Sequence, residues 1–118
     1  MKQEQKDLLL KDLCARLPYF TKVQIKNEIV VLDSICDDDG YHFNFIGEDR
    51  EGANIENIKP YLFSMSSMTE EQKEDMIKSS CGIGSDKTVF DWWNKNHFDY
   101  RGLIPMGLAN DATGKNIY

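Results

Sequence analysis

A chain of 118 residues, 41% apolar and 29% charged, is long enough for one domain spanning residues 1–118, and two halves could not each bury a core. Thirteen aromatics (six Phe, five Tyr, two Trp) supply the buried area that a disordered chain lacks. The net charge is −6, with nine acids against four bases in residues 21–60, and no run of Lys or Arg offers a phosphate-tracking surface, so nucleic acid is a disfavoured partner.

Residues 2–17 predict an amphipathic helix. Leu9, Leu10, Leu13, Cys14 and Leu17 form its apolar stripe, with Lys6, Asp7, Lys11, Asp12 and Arg16 around it. Pro18 ends it, because the residue before a proline is driven out of the helical region. Lys22 to Lys26 alternates strictly, placing Val23 and Ile25 inward. Asn27-Glu28 supplies a turn, and Ile29-Val30-Val31-Leu32 continues as a second strand towards Cys36. The run Asp37-Asp38-Asp39-Gly40 is a strong turn signal, and Tyr41 to Phe45 alternates again with its aromatics on one side.

Residues 47–54 are polar, glycine-bounded and aperiodic, which reads as an exposed loop. Ile58, Tyr61, Leu62 and Phe63 around Pro60 suggest a short edge strand or an irregular crossing segment. Capping boxes at Ser67/Glu70 or Thr69/Gln72 open a second helix that runs to about Ser79, with only Met76 and Ile77 apolar. Cys81-Gly82-Ile83-Gly84 breaks it. A third helix opens near Ser85 or Asp86 and reaches Asn96, with Val89, Phe90, Trp93 and His97 on one face. Beyond Phe98 an irregular tail packs back through Leu103, Ile104, Met106 and Leu108. The fold class is therefore α+β: an N-terminal helix on an antiparallel sheet of three to four strands, then two helices and the tail. A meander and a partly open barrel fit the strands equally well.

Several segments invite a chemical reading. Gly82 to Thr88 resembles a phosphate loop, but Asp86 stands where a glycine must precede the lysine, and its charge would repel a phosphate. A helix break followed by a new N-cap accounts for the same residues. A thiol nucleophile would need Cys81 beside His97 or His42, and no spacing brings them together. Cys14 and Cys36 read as small core hydrophobes, and His42 as an outward strand residue. Histidines 55 residues apart and an aspartate run without alternating ligands leave no metal motif, so no metal or cofactor is expected. The three cysteines are odd in number and widely spaced, the pattern of reduced thiols. The opening MKQEQKDLLLKD has no secretory apolar core and no later stretch approaches a membrane span, so a cytoplasmic protein without a membrane partner is expected.

The densest set of informative side chains is Trp92, Trp93, His97, Phe98, Asp99, Tyr100 and Arg101. Two adjacent tryptophans cannot share one helix face, so Trp93 is expected inside and Trp92 at a rim. Local capping and pairing by Asp99 and Arg101 is one reading of the segment. The other is a partner-binding patch of Trp92, Trp93, His97, Asp99, Tyr100 and Arg101, the residue types that dominate interface energetics.

The segments MKQEQKDLLLKDLCARLPY, KPYLFSMSSMTEEQKED and NHFDYRGLIPMGLANDATGKNIY resemble an uncharacterised family of short proteins from gut anaerobic bacteria and their phages and mobile elements. The likeness covers the first nineteen residues and much of the second half, and is loose over residues 20–57. It implies a bacterial accessory-type protein and carries over no activity, ligand or catalytic residue. The expectation is thus a noncatalytic accessory protein that binds another protein. The alternatives are a small Cys/His-dependent enzyme, and a nucleic-acid binder or acidic nucleic-acid mimic.

Overall fold

The computed structural model describes residues 2–37, 41–47, 54–80 and 86–118. The Asp38-Asp39-Gly40 turn, the centre of the polar loop and the Cys81–Ser85 break lie outside the described residues. The architecture is α+β: helix α1 (Gln3–Arg16), strands β1 (Lys22–Ile25), β2 (Glu28–Asp37), β3 (Tyr41–Phe45) and β4 (Ile58–Leu62), helices α2 (Glu70–Ser80) and α3 (Asp86–Lys95), and a two-residue strand β5 (Asn110–Asp111).

The strands form one open sheet in the order β3-β2-β1-β4-β5. It has five strands rather than three or four. The expected meander is present as β1, β2 and β3, all antiparallel, with Val23 opposite Val30 and Leu32 opposite Phe45. β4 is an interior strand, not an edge, because β1 pairs it on one side and β5 runs parallel to it on the other. Pro60 is tolerated there because β5 reaches only Tyr61 and Leu62, so no ladder bond on that side calls for its missing N–H.

Strand alternation decides what is buried. Val23, Ile25, Val30, Leu32, Phe43, Phe45, Ile58 and Leu62 lie under Leu9 and Leu13 of α1 and under Leu103, Leu108 and Ala109 of the tail. On the opposite face Ile29 and Ile46 are exposed. Met106 and Ile77 are exposed too; of the four tail residues expected to pack back, Leu103 and Leu108 are buried and Ile104 is half-buried. α2 takes the Thr69/Gln72 capping box, with bonds of 2.8 and 3.1 Å, whereas the Ser67 hydroxyl turns back to the Ser64 carbonyl.

The buried stripe of α1 departs most from expectation. It comprises Leu9, Asp12, Leu13 and Arg16, while Cys14 is exposed. Cys36 is exposed as well, so neither thiol is a core hydrophobe. The helical period was right, but its phase was set by a charged pair that the fold buries.

Residues 110–118 strap the far side of β4. The Asn110 side chain donates to Gln24 Oε1 at 2.7 Å. The Tyr118 hydroxyl accepts from the Lys22 N–H at 2.8 Å and donates to the Tyr61 carbonyl at 2.9 Å. It thus bridges β1 and β4 just beyond the Val23–Pro60 pair, where their register ends. Burial pushes the Tyr118 phenol far above its ordinary value, which keeps it a neutral donor. Tyr118→Phe leaves the Lys22 N–H and the Tyr61 carbonyl without their partner. The expected cost is about 1–2 kcal/mol, or a Tm lower by roughly 4–8 °C, with faster amide exchange at Lys22. An unchanged melting curve would show that the bridge contributes nothing.

Candidate functional site

The segment from Trp92 to Arg101 begins in the last turns of α3. The helix ends in a Schellman arrangement: Phe98 N–H reaches the Trp93 carbonyl at 2.9 Å and His97 N–H the Asn94 carbonyl at 3.2 Å. The left-handed position is His97, with φ 63°, where glycine or asparagine is the usual choice. Its imidazole stacks on Tyr118 with centroids 3.8 Å apart, a contact that glycine could not make. The next residue, Phe98, bridges to Phe63, which prolongs β4.

The tryptophans are reversed relative to expectation. Trp92 is the buried one, 6% exposed, stacked on Phe98 at 5.7 Å and donating from Nε1 to Asp75 of α2 at 2.9 Å. Trp93 is half-buried, edge-on to Phe90 at 5.4 Å and stacked on Tyr100 at 5.3 Å. The reason is α2: its Asp75 offers the acceptor that a buried indole N–H requires, and nothing in the local sequence marks that pairing.

Asp99 is buried and accepts from the Leu103 and Ile104 N–H groups at 2.8 and 2.9 Å, organising the turn that follows. The Tyr100 hydroxyl donates to Asn94 Oδ1 and accepts from Arg101 Nη2, both at 2.9 Å. Arg101 Nε donates to Asp12 Oδ1 at 3.1 Å. Asp12 Oδ2 takes Arg16 Nε at 2.8 Å, and Arg16 Nη2 reaches the Phe98 carbonyl at 2.6 Å. Asp12 and Arg16 are both 0% exposed. Sequence reasoning missed this pair, although a charged i,i+4 couple in step with Leu9 and Leu13 was the available signal.

What remains accessible is a ledge of three rings. Phe90 is 42% exposed and packs at 5.2 Å on Tyr100 as well as on Trp93. The Arg101 guanidinium sits 4.8 Å from the Tyr100 ring centre. Of the six side chains singled out in the sequence, Trp93, Tyr100 and Arg101 meet at this ledge. Trp92 and Asp99 face inward, and His97 serves the strap.

Two clefts near the segment have volumes of about 250 and 180 Å³. Both fall below the roughly 300 Å³ at which ligand pockets begin. Among the described residues no three His, Cys, Asp or Glu side chains are grouped to hold a metal. Desolvation by its immediate neighbours pushes the thiol of the largely exposed Cys14 up, away from the reactive thiolate. Cys81 lies outside the described residues. Among the described residues no helix is long and apolar enough to cross a membrane. Comparison with known proteins adds no assignment, since no family model, curated protein or solved structure matches the chain.

Two outcomes test the network. Asp12→Ala leaves Arg16 charged and buried, so a loss of about 3–5 kcal/mol is expected in urea denaturation. Arg101→Ala leaves the Asp12–Arg16 pair intact and should cost clearly less; equal losses would contradict the central place of Asp12.

His97 gives a pH signature. Burial, then the Arg16 and Lys22 charges, lower its pKa from 6.5 to about 4. Between those values the unfolded chain binds more protons than the folded one, so its contribution is full above pH 6.5 and is lost as pH falls towards 4. Discounted for screening at a partly exposed ring, the effect is of the order of 2 kcal/mol. His97→Asn, which keeps the left-handed backbone, should flatten the stability profile over that window; an unchanged slope would refute the assignment.

Proposed function

We propose that this chain is a noncatalytic accessory protein that acts by binding another protein through the ledge of Phe90, Trp93, Tyr100 and Arg101. The observation that carries this reading is Phe90. It is 42% exposed, on the rim of two packed aromatic rings that are themselves only half-buried. Folding does not require a large apolar ring at that position, and the surrounding Trp, Tyr and Arg are the types enriched in binding hot spots.

The network behind the ledge suits the task. Asn94 and Arg101 hold the Tyr100 hydroxyl from two sides, so a partner would meet rings that are already ordered. Rigid aromatic contacts lose little entropy on binding. The family resemblance of the two chain ends agrees with an accessory protein of a bacterium or one of its mobile elements, working in the cytoplasm without a membrane or nucleic-acid partner.

The test is affinity capture from the source organism's lysate after nuclease treatment, with the wild-type chain beside Phe90→Ser. A partner protein captured in stoichiometric amount by the wild type should be lost to Phe90→Ser, whose melting temperature stays close to wild type. A hot spot of about 2 kcal/mol corresponds to roughly thirtyfold weaker binding. Equal recovery by both chains would sink the ledge, and recovery only without nuclease would replace a protein partner with nucleic acid.

A further inference from the structure

One edge of the sheet is open. β3 pairs with β2 on one side, and among the described residues no strand lies on its other side. Native edges are commonly blunted by lysine, proline or a bulge in the edge strand, which keep other chains from pairing with them. β3 reads Tyr41-His42-Phe43-Asn44-Phe45 and carries neither residue type. The register shift of the hairpin falls between Leu32 and Ser34, on β2.

Two bonds fix which residues of β3 face the edge. The Ile46 N–H reaches the Val31 carbonyl at 2.9 Å, and the Leu32 N–H turns the other way, to the Thr21 carbonyl at 2.9 Å. Residues along a strand alternate in the side to which they present N–H and C=O. His42 and Asn44 therefore face β2, as Ile46 does, while Tyr41, Phe43 and Phe45 present their backbone groups to the open edge.

A side-chain acceptor is left over at the same edge. Asn44 Nδ2 donates to Ser34 Oγ at 3.1 Å and to Cys36 Sγ at 3.4 Å, both on β2. The amide oxygen is thereby turned away from β2, and among the described residues nothing donates to it.

A second copy of the chain fits this edge by symmetry. Laid antiparallel about a two-fold axis at Phe43, the strand sets Phe43 against Phe43, Tyr41 against Phe45 and His42 against Asn44 of the second copy. The first two kinds of pair exchange backbone bonds in both directions, because these are the residues whose groups face the edge. The third is the closely spaced kind of pair, and it brings an imidazole beside the unspent amide oxygen. With histidine neutral, β3 carries no charge, so two chains of net charge −6 meet here without opposing like charges.

We propose that two copies of this chain pair through β3, antiparallel about a two-fold axis at Phe43, into one continuous ten-stranded sheet. The pairing uses no residue of the aromatic ledge. A ladder of five residues is a small interface, so a dissociation constant in the micromolar range is expected.

Sedimentation of the full chain over a concentration series should show a monomer passing into a dimer, and a monomer throughout would overturn the proposal. Amide exchange adds a residue-level reading. The Phe43 N–H should gain protection as concentration rises, whereas His42 and Asn44 are protected at every concentration; a Phe43 rate independent of concentration would refute the pairing. The register is tested by charge. His42→Lys with Asn44→Lys opposes like charges across the axis and should weaken dimerisation at least tenfold. His42→Lys with Asn44→Glu loses the same bonds to β2 but opposes unlike charges, and it should dimerise at least as tightly as the wild type. Equal weakening of both double variants would reject the axis at Phe43.

Discussion

The structure depends on a carboxylate that is wholly withdrawn from water. Asp12 is 0% exposed, and a bare carboxylate in that position would be untenable. It is bonded by two arginines from opposite ends of the chain, one four residues along its own helix and the other 89 residues away. The local partner orients the group and the distant one closes the fold. Removing the carboxylate would leave Arg16 charged in a poorly solvating interior, which is why this position is the costliest of the three to lose.

The rest of the second half hangs from this point. Arg16 passes the connection on to the Phe98 carbonyl, and Phe98 packs between Trp92 and Phe63. Trp92 in turn ties α3 to α2 through Asp75. His97 bends the chain at the end of α3 and offers its ring to Tyr118, whose hydroxyl bridges β1 and β4. A continuous path of stacked rings and hydrogen bonds therefore runs from α1 to the sheet without passing through the aliphatic core. The strands share an aliphatic core with α1 and the tail, while α3 joins them through this polar-aromatic seam.

The seam also explains where binding chemistry is left over. Residue types that usually announce an interface are mostly consumed in holding the chain together. Trp92, His97 and Asp99 have structural occupations, and within this segment the outer edge of Trp93, Tyr100 and Arg101, extended by Phe90, faces water. The placement follows from composition: a small sheet backed by one helix leaves much of the second half without an aliphatic core, and aromatic side chains with polar handles fill that space.

Periodicity and turn chemistry by themselves determined the α+β class, the three helices, the succession of three antiparallel strands β1, β2 and β3, and the inward faces of β1 and β3. These depend on neighbours within a few residues, and the pattern of neighbours is what a sequence displays. The interior place of β4, the parallel β5 and the burial of Trp92 instead of Trp93 needed partners from remote segments. So did Asp12 and Arg16, which look like solvent-facing charges on α1 until Arg101 and the Phe98 carbonyl are brought against them. A charge is buried only when its partner is in place, and for this chain that partner arrives from the far end, so the decision belonged to the tertiary structure.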